Sequence, residues 1–74
     1  MNAAEVAVLA ALSPGGLLSA TQIQRDAVLP GWRVRNALAQ LQARGLVTPC
    51  IYRGRWQISE RGWSALATKA KRFA

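Results

Sequence analysis

Apolar side chains recur along this chain at spacings of three and four, interrupted by short runs of Gly, Pro and Ser. Val6, Leu9, Ala10 and either Leu12 or Ser13 trace a first stripe, which predicts a helix opening at Asn2-Ala3-Ala4-Glu5 and ending at Ser13-Pro14-Gly15-Gly16. Asn2 and Glu5 have the spacing of a capping box, with Asn2 accepting early amide protons and Glu5 bonding back. Leu17-Leu18 leaves room for a bridge or a small edge strand. Ser19-Ala20-Thr21-Gln22 repeats the capping pattern and predicts a second helix reaching about Ala27. Its inward residues would be Ile23 and Ala27, with Gln22, Gln24, Arg25 and Asp26 mostly outside. After a turn at Leu29-Pro30-Gly31, Val34, Ala37, Leu38 and Leu41 define one face of a third helix, from Trp32 to Arg44. Pro30 suits a place at or near its first position, where a missing N–H costs nothing. Gly45 is expected to close it, with Leu46 packing back on the last turn.

The pattern then changes to alternation. A hairpin turns at Arg53-Gly54 or Arg53-Gly54-Arg55. A tight turn would set Ile51 opposite Trp56 and Pro49 opposite Ile58, making one apolar face, with Cys50, Tyr52, Arg55 and Gln57 on the other. Pro49 cannot donate to a ladder, so its strand should lie at the sheet edge or start irregularly. Ser59 reads as the N-cap of a final helix carrying Trp63, Leu66, Ala67 and Ala70 on one side. Lys69, Lys71 and Arg72 load its end, where cations favour the helix dipole. Trp56 and Trp63 both fall on apolar faces and are expected in the core. Residues 1–74 read as one domain, near the lower size limit for a self-sufficient core.

Charge changes this picture most. Ten Lys and Arg against three acids give +7. From residue 31 onward there are nine basic residues and one acid, Glu60, so that part alone carries 9 − 1 = +8. Such a surface attracts polyanions, nucleic acid first and anionic membrane second. Catalysis is poorly supplied: with no His, one Cys and carboxylates scattered at Glu5, Asp26 and Glu60, neither a metal site nor an acid–base pair is easily built. No phosphate loop or nucleophile motif is present, and no cofactor, metal or small-molecule ligand is expected. The lone Cys50 cannot form an internal disulfide, which suits a reducing, cytoplasmic setting. The apolar run from Val6 to Leu12 is far too short to span a bilayer.

The order helix, short strand, helix, tight turn, helix, hairpin, helix resembles the winged helix-turn-helix, an α+β fold in which a three-helix bundle carries a β-hairpin wing and a C-terminal helix. The segment from Ile23 to Leu41, with Leu29-Pro30 before the third helix and Gly45-Leu46-Val47 behind it, is similar to IclR-like and MarR-like bacterial regulators. Trp56-x-Ile58-Ser59-x-x-Gly62 is similar to their second wing strand and the helix after it. Pro30-Gly31 replaces their usual Ser or Thr cap, and Val28 stands where they often have Gly.

The resemblance implies double-stranded DNA as partner, with the helix near residues 31–44 in the major groove. With the apolar face inward, about 100° per residue places Trp32, Asn36, Ala39 and Ala43 outermost, flanked by Arg33, Arg35 and Gln40. Arg suits guanine, and Asn or Gln suits adenine. Trp32 has a second reading, tucked against Leu29 or the wing. Arg53 and Arg55 would meet backbone or minor groove, and Thr21, in the first turn of the second helix, a phosphate. A homodimer through the first and last helices is expected, with Trp63, Leu66 and Phe73 as candidates. Two rival uses of the same surface remain: a protein-interaction adaptor or inhibitor, and an accessory factor for recombination or packaging.

Overall fold

The computed structural model describes residues 1–50 and 54–73, with backbone alone for 69–73. The elements run α1 (Ala3–Leu12), β1 (Leu18–Ser19), α2 (Ala20–Ala27), α3 (Gly31–Ala43), β2 (Val47–Pro49), β3 (Arg55–Ile58) and α4 (Glu60–Phe73). The three strands form one antiparallel sheet in the order β1-β3-β2, with β3 in the middle. The chain is thus α+β, with three helices packed around a common core, a sheet against one end and a fourth helix following it.

The core gathers Val8, Leu9 and Leu12 from α1, Ile23 from α2, Val34, Ala37, Leu38 and Leu41 from α3, and Leu46 and Val47 beyond it. On α3 the buried face is the predicted one. On α1 it is not: Ala4, Val8 and Leu12 are buried beside Glu5 and Leu9, while Val6 is half-buried and Ala10 exposed. The segment Ala3–Leu12 is apolar at nearly every position, so spacing alone cannot choose its inward face, and the neighbouring helices do.

Local signals fix most helix ends. Asn2 accepts a hydrogen bond from the Glu5 N–H at 2.9 Å. Glu5 does not return it; its carboxylate is buried and paired with the Arg44 guanidinium at 3.2 Å, tying the start of α1 to the end of α3. Ser19 and Gln22 form the full reciprocal box at α2. Pro30 is the N-cap of α3, immediately before its first turn, and no side chain caps that helix. At the other end Gly45 takes φ +75°, its N–H donates to the Gln42 carbonyl, and the Leu46 N–H donates to the Leu41 carbonyl. These two bonds are a Schellman closure, and they bury Leu46 as expected.

The hairpin register differs by two residues from the tight-turn expectation. Pro49 lies opposite Trp56, and Val47 opposite Ile58. The Cys50 N–H still donates to the Arg55 carbonyl at 2.9 Å. The pairing is thus described as far as Cys50 and Arg55. A slip of two preserves which side chains share a face. Trp56 accordingly packs against the core with Ile58, as expected, and β2 with Pro49 is an edge strand. Ile51, Tyr52 and Arg53 lie outside the described residues.

On α4, Ser59 caps the first turn by accepting from the Gly62 N–H at 3.0 Å, while its hydroxyl donates to the Gly45 carbonyl. The inward face is turned by one residue from the predicted one. A Cβ at Gly62 would collide with the Leu46 carbonyl and the Ile58 side chain, so this position admits the closest approach. Ala65 and Leu66 then reach the core. Trp63 is consequently not a core residue: it is 49% exposed, and its indole N–H donates to the Ser13 carbonyl at 3.0 Å. Ala67 is exposed.

Candidate nucleic-acid interface

The α2–α3 unit is a helix-turn-helix built on an unusual corner. Val28 adopts φ +55°, ψ +53°, and its N–H caps α2 at the Gln24 carbonyl. Left-handed backbone costs a non-glycine residue about 1–2 kcal/mol, and β-branching makes it rarer still. The Val28 side chain is 85% exposed, so burial does not offset that cost. The corner that Gly would make without strain is here made by Val, and α3 still departs in the helix-turn-helix direction.

Four faces of α3 follow from its buried stripe. Val34, Ala37, Leu38 and Leu41 point inward, and Trp32, Asn36, Ala39 and Ala43 are all exposed on the far side. Arg33 and Gln40 turn toward α1, where Trp32, Arg33, Asn36 and Gln40 border a shallow groove with Asn2 and Glu5. Arg35 turns the other way. It borders a cleft between α3 and the wing together with Ala39, Gln42, Gly54 and Trp56. Trp32 therefore lies on the α1 side rather than against the wing, and its ring carries the Arg33 guanidinium at 5.8 Å from the centroid. The helix has no Asp or Glu, and the nearby Glu5 is already paired with Arg44.

On β3, exposed Arg55 and Gln57 alternate with half-buried Trp56 and Ile58. Arg55 is the first residue of that strand, opposite Ser19, and not part of the hairpin tip. Its side chain leaves from the sheet face opposite Trp56, outside the cleft that Arg35 borders. Gly54, at φ +66°, makes the last step into the strand. Pairing with Ser19 sets Arg55 near the N-terminus of α2, where Thr21 is exposed in the first turn. The structure thus brings Trp32, Arg33, Asn36 and Gln40 together, sets Arg35 beside the wing, and places Arg55 and Thr21 near a common corner. Arg53 lies outside the described residues. Gln42 was missed by sequence reasoning, although its place on the helix, seven residues after Arg35, already puts it on the same flank.

Among the described residues no helix is long and apolar enough to cross a membrane. No group of three potential metal ligands occurs among them either.

The fold is a winged helix-turn-helix: α2 and α3 are the paired helices, and β2 and β3 are the wing. Solved structures place it more closely. It superposes on the MarR family transcriptional regulator SPO1453 from Silicibacter pomeroyi with a TM-score of 0.76, at 25% identity over 96% of this chain and 55% of that one. It also superposes on Bordetella bronchiseptica BpsR, whose DNA binding is regulated by 6-hydroxynicotinic acid, with a TM-score of 0.87. There the identity is 22%, over 96% of this chain and 53% of BpsR. The chain therefore has a MarR-like winged-helix fold and spans about half the length of the solved structures it matches. No protein-family model matches the sequence, and no curated protein matches it either.

Proposed function

We propose that this chain binds double-stranded DNA and acts in transcriptional regulation, laying α3 into the major groove with the wing alongside. The observation that carries the reading is the outer surface of α3. It is unpacked and free of acids, it is flanked by Arg33 and Arg35, and one flank adjoins the wing. Packing does not call for two arginines there, and they have the charge and reach to neutralise the phosphates of a duplex. Thr21 at the start of α2 and Arg55 on the wing are suited to phosphates, and Arg53 is suited to them by its charge. The solved neighbours favour the same use, since one is a transcriptional regulator and the other binds DNA.

A single module of this kind covers about 600–1,000 Å² of DNA, so specific control calls for two half-sites and a homodimer. Half-exposed Trp63 and neighbouring Leu66 on α4, with α1, form the proposed contact.

The test is binding to generic duplex DNA across a salt series. If about 4–6 phosphates are neutralised per subunit, log affinity falls by about 0.9 per contact with log salt. Changing Arg53 and Arg55 together to Ala is expected to flatten the slope by up to about 2 units with the fold intact. An unchanged slope would remove the wing from the interface. Failure of the wild-type chain to bind duplex at low salt would instead favour an adaptor role.

A further inference from the structure

The arginines of α3 do not share one face, and this has a consequence for how sequence would be read. At about 100° per residue, Arg33 and Arg35 stand roughly 160° apart around the helix. Arg33 is on the α1 side, held over the Trp32 ring, and Arg35 is on the wing side beside Gly54 and Trp56. Between them runs the outermost edge, with Trp32, Asn36, Ala39 and Ala43 exposed along it. The major groove is about 12 Å wide, and a helix with its side chains is about 10–12 Å across. A helix that fills its groove presents only its outermost edge to the base pairs. Residues on its two flanks meet the groove walls, which are the two phosphate backbones.

We infer that α3 divides the work: Asn36 reads a base edge, while Arg33 and Arg35 each grip one of the two backbones bordering the groove. This deepens the DNA-binding reading above and rests on it. Ala39 and Ala43 keep the same edge thin, so the helix axis approaches the base pairs. Among the outermost residues, Asn36 alone joins a carbonyl acceptor to an amide donor, the pair that matches adenine N6 and N7. Gln40 has the same chemistry and borders the same groove as Asn36, but at about 100° per residue it stands roughly 40° further from the outermost edge, on the flank that carries Arg33. Trp32 is a positioning residue in this scheme, because its ring holds the Arg33 guanidinium to its flank.

Lysine substitution separates the two roles of arginine. A phosphate contact needs charge on a long stem, which Lys retains, whereas bidentate guanine recognition needs the planar fork, which Lys lacks. Fragments bound from random duplex DNA would be selected with the wild-type chain, Arg33→Lys, Arg35→Lys and Asn36→Ala, with thermal melting to show that each is folded. The two Lys variants are expected to select the wild-type sequence. Asn36→Ala is expected to lose preference at one A·T position by about 5- to 150-fold, with the salt slope unchanged. Altered preference at a G·C position in either Lys variant would overturn the division, as would full preference retained by Asn36→Ala. Duplex binding without any sequence preference would also overturn it. These outcomes leave the DNA-binding reading standing, whereas absence of duplex binding at low salt would bring down both.

Discussion

The helix-turn-helix and the wing would both meet DNA, yet they are held by different means. α3 has a stripe of four buried apolar residues, a Schellman closure and, through Arg44, an ion pair to the buried Glu5 of α1. The wing has short strands, β2 at the sheet edge, and inward anchors in Trp56 and Ile58 that are only partly buried. Rigid placement belongs to the first region. The second supplies exposed polar side chains whose removal leaves the core untouched. The residues that hold the fold and those proposed to bind are therefore different ones, and substitutions can be chosen to move one without the other.

The largest effect should come from the core of α3. Leu41 is fully buried, and Leu41→Ala is expected to cost about 2–5 kcal/mol, read from the denaturant midpoint. For a domain this small, that is enough to unfold much of the population at ambient temperature. A cost below about 1 kcal/mol would mean that α3 is not the rigid half of the comparison. A smaller effect of opposite sign is expected at the corner. Val28→Gly relieves left-handed strain of about 1–2 kcal/mol and adds about 0.5–1 kcal/mol of unfolded-chain entropy. The expected balance is a gain of about 0.5–1 kcal/mol, read from the same denaturant series. A loss of stability would place the favourable contacts of Val28 above its backbone strain.

The two regions also differ in how far they could be read from the sequence. The inward face of α3 and its Gly45 closure were legible because polar residues alternate with apolar ones at helical spacing, and because Gly at C′ has one dominant use. The exposure of Trp32, Arg33, Arg35, Asn36 and Gln40 follows from that face, so much of the candidate site was legible too. α1 was not: a run of Ala, Val and Leu offers two overlapping stripes, and only the packed neighbours distinguish them. Glu5 matched a capping box, but the Arg44 guanidinium, 39 residues away in sequence, competes for its carboxylate and wins. The hairpin register depends on the number of residues in the connection, which composition does not fix, although the alternation of faces survived the slip of two. Trp63 looked like a core residue by size. Gly62 beside it, a residue with no side chain to place, set the rotation of α4.

The account stands on two elements contributing positive charge to one duplex, and the direct measurement is the salt dependence of binding in Arg35→Ala, Arg55→Ala and the double variant. Each side chain is exposed, so each substitution should leave stability within about 0.5 kcal/mol of wild type. The predicted result is a slope shallower by about 1 unit in each single variant and about 2 in the double. A slope unchanged by the loss of either arginine, in variants that melt like wild type, would contradict it.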